Sequence, residues 1–197
     1  MSGDSPRTAV FAYGSLVDPA SAGRTLGRPV TPLPATLEGH CRRFSLYRDN
    51  RRSEKTFATP DGIVPAIVLG LNVEPSPEAV TAPNGALIEV DDAELARLDL
   101  REMRYDRTDV TAAVPAAAAA GFERVVTYVA KVGHFATSPP AGAVIIAAYA
   151  RTVESAFDRL GPAEGVRYRE TTLPYPVDLI EGVLIADAIP PGNPRDW

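Results

Sequence analysis

One carboxylate in this chain stands where a helix should be apolar. In LARLDLREMRYDRTDV, residues 95 to 110, Leu95, Leu98 and Glu102 fall at i, i+3 and i+7, so on a helix they share the face that packs inward. A carboxylate held in a pocket on that face can take and give protons as a general acid and base. The competing reading pairs Glu102 with Arg101, Arg104 or Arg107 at the helix end, where charges are common.

A second stretch, FAYGSL over residues 11 to 16, ends a buried apolar run abruptly at Tyr13-Gly14-Ser15. Three readings compete. A Gly-Ser pair after a strand makes an ordinary turn. A serine nucleophile would need the second glycine of a G-x-S-x-G elbow, which is missing, and a base drawn from His40 or His134. A backbone cradle needs less: Gly14 lets a ligand approach the main chain, and the N–H groups ahead of a helix can receive a carboxylate or polarised carbonyl. No G-x-x-x-x-G-K-[ST] is present, so nucleotide binding is not supported.

Other stretches are less specific. RRFSLYRDNRRSEK, residues 42 to 55, gathers Arg42, Arg43, Arg48, Arg51, Arg52 and Lys55 around Phe44 and Tyr47. Basic residues interleaved with aromatics suit single-stranded nucleic acid, an exposed hairpin kept soluble by arginine, or a positive rim that attracts a small anion. The net charge of −5 favours the hairpin, and no nucleic-acid partner is expected. Tyr149 shares an approximate helix face with Ile145, Val153 and Phe157, a setting in which most tyrosines are core residues with a partnered hydroxyl. Two histidines, one cysteine (Cys41) and no C-x-x-C or H-E-x-x-H pattern argue for chemistry without a metal or cofactor. No run approaches the roughly 20 apolar residues that cross a bilayer. A lone cysteine and no signal-peptide pattern lead to an expected cytoplasmic location.

These residues must be positioned by short elements. The pattern predicts a strand over 7–13, a helix from Pro19 to Gly27 capped by Asp18, a broken strand over 33–48 and a returning strand over 62–73. It then predicts a loop over 74–85, a strand over 86–90, a helix over 91–103 with an Asp91–Glu94 capping box, and strands over 105–114 and 123–132. A helix over 142–160 stops at Gly161-Pro162, and the tail holds one strand. The 19 prolines suit many turns. Short strands with few crossover helices imply one α+β domain with a closed or strongly curved mixed sheet and helices outside.

FAYGSL, LDLREMRYDRTDV and YARTV, in this order across about residues 8–160, resemble the γ-glutamylcyclotransferase family, including its AIG2-like members. The resemblance implies a small mixed β-barrel flanked by helices, a single domain over 1–197 with a C-terminal extension from 161, and a small-molecule γ-glutamyl substrate. It implies that Tyr13, Gly14, Ser15 and Leu16 grip the γ-glutamyl group and that Glu102 is the general acid and base. Tyr105 and Arg107 support the site, and Tyr149 reaches the pocket. The expected reaction is intramolecular aminolysis that releases 5-oxoproline and an amine; a non-catalytic binding domain on the same fold is the alternative. Val17-Asp18-Pro19 stand where the glutathione-specific branch usually has a tryptophan, so glutathione is not the expected substrate.

Overall fold

The structure, a computed structural model, describes residues 6–188, 192 and 193. The apolar run ahead of Tyr13 forms β1 (Thr8–Ala12), buried along its whole length. Asp18 then caps α1 (Pro19–Leu26): its side chain accepts from Ala20 N at 2.9 Å, and Gly27 closes the helix at φ 77°, a left-handed conformation that suits glycine. The expected broken strand is two strands, β2 (Leu33–Thr36) and β3 (His40–Asp49), parted by a turn with Gly39 at φ 66°. Next come β4 (Lys55–Ala58) and β5 (Ile67–Pro75). The latter starts later than expected because Thr59 and Ile63 close a turn, with Thr59 N donating to Ile63 O at 2.8 Å. β6 (Asn84–Val90) is followed by α2 (Asp92–Arg101), whose capping box has Glu94 N donating to Asp91 at 2.8 Å and Asp91 N to Glu94 at 3.0 Å. β7 (Tyr105–Asp109), the short α3 (Ala116–Ala119) in the alanine-rich stretch, and β8 (Arg124–Ala130) complete this half.

The helix expected over 142–160 is corrected at its start. Residues 143–146 form β9 (Ala143–Ile146), and α4 (Ala147–Leu160) begins only after it. The β-branched run Val144-Ile145-Ile146 suits a buried strand, and parallel pairing with Ile67–Val68 of β5 secures it. Gly161-Pro162 is a joint rather than a stop: Pro162 opens α5 (Pro162–Thr171), which the sequence reading missed. The tail contributes β10 (Leu179–Ile180) and β11 (Val183–Asp187) where one strand was expected.

The strands make three sheets: β2-β6-β1-β8-β7, β10-β9-β5-β3 and β11-β4. The first two mix parallel and antiparallel pairs. None closes on itself, so the expected barrel is replaced by an open α+β arrangement. Where the two larger sheets approach, side chains stand in for a ladder. Asn72 Oδ1 of β5 accepts from Ala130 N of β8 at 2.9 Å, and the Tyr105 hydroxyl donates to Leu71 O at 2.7 Å. Barrel closure needs continuous backbone pairing around the ring, and these bridges do not supply it.

The exposed-hairpin reading of residues 42–55 also fails at both ends. Arg42 is fully buried and Lys55 is 3% exposed. Arg42 donates to Asn84 Oδ1 at 2.9 Å, Thr171 Oγ1 at 3.1 Å and Thr172 Oγ1 at 2.8 Å, and lies between the rings of Phe157 and Tyr168 at 4.8 and 4.4 Å. Burial lowers its pKa to about 9, a measure of how strongly the site disfavours a charge. Hydrogen bonds and ring faces offset that penalty and fasten α5 to β3 and β6.

Candidate functional site

The site grows from the end of β1. After Ala12 the chain turns through Tyr13-Gly14 into one turn of 3-10 helix at Ser15–Val17, closed by Val17 N donating to Gly14 O at 3.0 Å. Asp18 then hands the chain to α1, so the Tyr-Gly-Ser segment is gripped from both sides. Tyr13 is buried, and its phenol donates to Tyr128 O at 2.6 Å. Burial, reinforced by nearby Tyr105, Glu102 and Tyr149, holds its pKa well above the usual phenol value. Tyr13 therefore stays a neutral hydrogen-bond donor. A Cβ at Gly14 would meet Leu71 at an ordinary 3.8 Å, so the fold itself does not demand glycine here; the missing side chain keeps the adjacent cavity open.

Glu102 arrives from the other direction, as the residue that ends α2. Its N–H bonds Leu98 O, and its own carbonyl accepts from Tyr105 N, both at 2.8 Å, so a tight turn returns the chain directly into β7. Glu102 and Arg101 are ion-paired, Nε to Oε1 at 3.0 Å, with side chains 14% and 7% exposed. The same guanidinium donates to Ser15 Oγ at 3.2 Å and to Thr25 Oγ1. Arg101 thus fastens the carboxylate to the Tyr-Gly-Ser loop and to α1. Glu102 Oε2 has no hydrogen-bond partner among the described residues.

Two cavities meet at this carboxylate. The smaller, about 50 Å³, is lined by Tyr13, Gly14, Ser15, Leu16 and Tyr128 together with Glu102, Tyr105 and Tyr149. The larger, about 180 Å³, shares Ser15, Glu102, Tyr105 and Tyr149 and extends over β3, β4 and α1. Seven of the eight residues picked out in the sequence are therefore brought together. Arg107 is not among them: it pairs with Asp99 at 3.2 Å, lines neither cavity, and helps hold α2 against β7. Tyr149, from the first turn of α4, rests edge-on against Phe44 at 6.1 Å. Neither His40 nor His134 lines either of these cavities, and Ser15 Oγ is bonded by Arg101, so among the described residues no histidine stands beside Ser15 as a base. Among the described residues no group of three or more His, Cys, Asp or Glu gathers at one point, and no helix is long and apolar enough to cross a membrane.

Sequence reasoning missed Arg101, Tyr128, Arg48 and Lys55 as site residues. The basic 42–55 segment carried a signal for the last two in its positive-rim reading. Tyr128 carried none, since it lies in the mostly apolar run of β8 and reads as a core residue.

The fold is a mixed α+β one built around a polar pocket, and the family is shown by sequence. Residues 10–143 match the family described as gamma-glutamyl cyclotransferase, AIG2-like. The match spans more than half of the chain, which belongs to this family. No curated protein sequence matches it. Among solved structures, the chain is similar to the uncharacterized protein loc79017 from Homo sapiens, with 14% identity, 87% of this chain and 90% of that one covered, and a TM-score of 0.57. A structure described as gamma-glutamyl cyclotransferase gives 13% identity over 88% and 93% of the two chains, with a TM-score of 0.54. YkqA from Bacillus subtilis gives 19% identity over 86% of this chain and 56% of that chain, with a TM-score of 0.51. This chain therefore spans little more than half of YkqA, and at these identities the likeness is one of fold.

Proposed function

We propose that the protein is a γ-glutamylcyclotransferase in which Glu102 moves the protons. The observation that carries the reading is the position of Glu102: one oxygen is anchored by Arg101, the carboxylate lies where two cavities meet, and the Tyr-Gly-Ser segment lines the smaller of them, with Ser15 on both. The γ-glutamyl group occupies the smaller cavity and the departing amine the larger. The substrate's own α-amine attacks its γ-carbonyl carbon, forming the C–N bond of a five-membered ring. Collapse of the tetrahedral adduct breaks the original amide C–N bond and gives 5-oxoproline and a free amine. Ring closure within one molecule has a high effective molarity once the chain is folded over. The remaining task is to take a proton from the attacking ammonium and deliver it to the leaving nitrogen. One carboxylate can do both, worth about 10² to 10⁴-fold.

The opening N–H groups of a helical turn lack partners within it, so Ser15 and Leu16 are the donors this reading assigns to the developing oxyanion or the substrate carboxylate. Tyr13 and Tyr105, each donating to a backbone carbonyl, keep the wall rigid. No step draws on a metal or redox group. The test is 5-oxoproline release from a set of γ-glutamyl amides. Wild-type protein should turn over at least one, and Glu102→Gln should lose about 10²-fold or more in kcat. Undiminished turnover by Glu102→Gln would remove this residue from the mechanism, and affinity without turnover would favour a binding protein.

A further inference from the structure

We infer that the larger cavity takes departing amines that carry a branched alkyl chain or an aromatic ring, seated on an apolar floor of Phe57, Val68 and Ile146. This rests on the reading above only in taking the larger cavity as the amine side. The three side chains line that cavity and form a small hydrophobic cluster separate from the main core, with Tyr149 and Ile180 packed against it. Charged side chains on the same lining are engaged within the protein: Arg101 with Glu102, Arg104 with Glu54 and Lys55 with Asp187. Arg48 donates to Lys55 O and Ser53 Oγ at 2.6 and 2.7 Å, and its guanidinium lies 5.3 Å from the Phe57 ring. A ligand gains little by competing for groups already paired, and more by covering apolar surface. At about 180 Å³ the cavity exceeds the roughly 150 Å³ apolar cavity that holds benzene, so it has room for a ring or a branched chain.

The C-terminal segment supplies part of this floor and backs the rest. The family match ends at residue 143, and Ile146, Tyr149 and Ile180 follow it in the chain. Ile146 of β9 pairs with Ile180 of β10, and Phe57 of β4 pairs with Leu184 of β11, so both tail strands hold floor residues in register. Between those strands, Gly182 leaves the space behind Ile146. A Cβ there would stand 2.8 Å from Ile146 Cδ1 and 3.1 Å from its Cγ2, closer than side chains normally pack. An alanine at this position therefore presses Ile146 away from the tail and into the cavity that it lines.

The experiment compares the γ-glutamyl amides of methylamine, 3-methylbutylamine and 4-aminobutan-1-ol; the last matches the second in size but ends in a hydroxyl. Release of 5-oxoproline is measured with wild-type protein, and equilibrium binding with Glu102→Gln. Each buried methylene is worth about fourfold. The 3-methylbutyl compound should therefore exceed the methyl compound by about 10- to 100-fold in both kcat/KM and affinity, and the hydroxybutyl compound by about tenfold. Gly182→Ala should weaken the 3-methylbutyl compound about tenfold and leave the methyl compound unchanged. Should that variant disturb folding, Val68→Thr, which keeps the side-chain shape and adds a hydroxyl, should cut the same preference. Equal handling of the three compounds, or preference for the hydroxybutyl one, overturns the inference while leaving the cyclotransferase reading in place. A loss spread evenly over the three compounds in these variants overturns it too. Apolar-selective binding without turnover supports the cavity's role and sinks the enzymatic reading. Neither binding nor turnover of any of the three overturns both.

Discussion

Replacing Arg101 with methionine separates the carboxylate from the loop it is tied to, and the consequence can be worked out. Arg101 is 7% and Glu102 14% exposed at the side chain. Removing one member of a fully buried pair costs about 3–5 kcal/mol, whereas an exposed pair contributes at most about 1. Glu102 lines an open cavity, so water can reach it and the cost falls between these two cases, about 2–3 kcal/mol including the unmet hydroxyls of Ser15 and Thr25. Methionine keeps most of the apolar stem, so packing loss adds little. For a chain of about 200 residues each kcal/mol lowers Tm by about 2–4 °C. Arg101→Met should therefore melt about 4–12 °C below wild type. Urea denaturation of Arg101→Met, Glu102→Gln and the double variant should return a coupling energy above about 1 kcal/mol. Arg101→Lys can keep one bond but not the fork, and should recover part of the stability.

The kinetics separate positioning from scaffolding. On any γ-glutamyl amide that is turned over, Arg101→Met should lower kcat more than it raises KM, because it releases the proton-transferring carboxylate while the Tyr13, Gly14 and Tyr128 walls of the smaller cavity, which Arg101 does not line, remain. Additive stabilities within about 0.5 kcal/mol, together with an unchanged kcat, would refute the argument that Arg101 holds Glu102 and Ser15 as one unit.

Two further substitutions test the frame around the site. A Cβ at Gly85 would overlap Ala12 O and come within 2.6 Å of Phe11 Cζ, so Gly85→Ala should destabilise by about 3 kcal/mol in urea titration and, by displacing the residue before Tyr13, weaken substrate binding as well. The buried Tyr168 hydroxyl lacks a hydrogen-bond partner among the described residues. Tyr168→Phe keeps the ring over Arg42 and should leave stability unchanged or raise it by up to about 1 kcal/mol; a clear loss in Tm would show that the hydroxyl has a partner.

Local chemistry was legible in the sequence, and pairing across the chain was not. The Asp18 cap, the Gly27 stop and the Asp91–Glu94 box are contacts within a few residues, and each lies where residue type alone places it. The segment Ala143–Ile146 continues smoothly into a helix in sequence, and only parallel pairing with β5, more than 70 residues upstream, makes it a strand. Arg42 shows the same limit for burial. An arginine near a turn reads as solvent-facing, yet α5, Asn84 and two aromatic rings close over it. Tyr105 and Arg107 are spaced to share one face of a strand. The turn from Glu102 to Tyr105 sends the tyrosine hydroxyl to Leu71 O, while Arg107, further along β7, has passed the cavity and meets Asp99.

The two ends of the site were therefore visible as motifs, but the group that joins them was not. Arg101 has a carboxylate as its neighbour, and in sequence that is the least informative setting an arginine can have. Its role arises because α1 and the Ser15 turn pack against the last turn of α2, placing Ser15 and Thr25 within reach of the same guanidinium that holds Glu102. A planar fork with five donors can serve three such acceptors at once, and a lysine cannot. The choice of arginine before Glu102 is then a requirement of tertiary geometry: it is the side chain able to make a loop near the N-terminus and a carboxylate on a later helix move as one body.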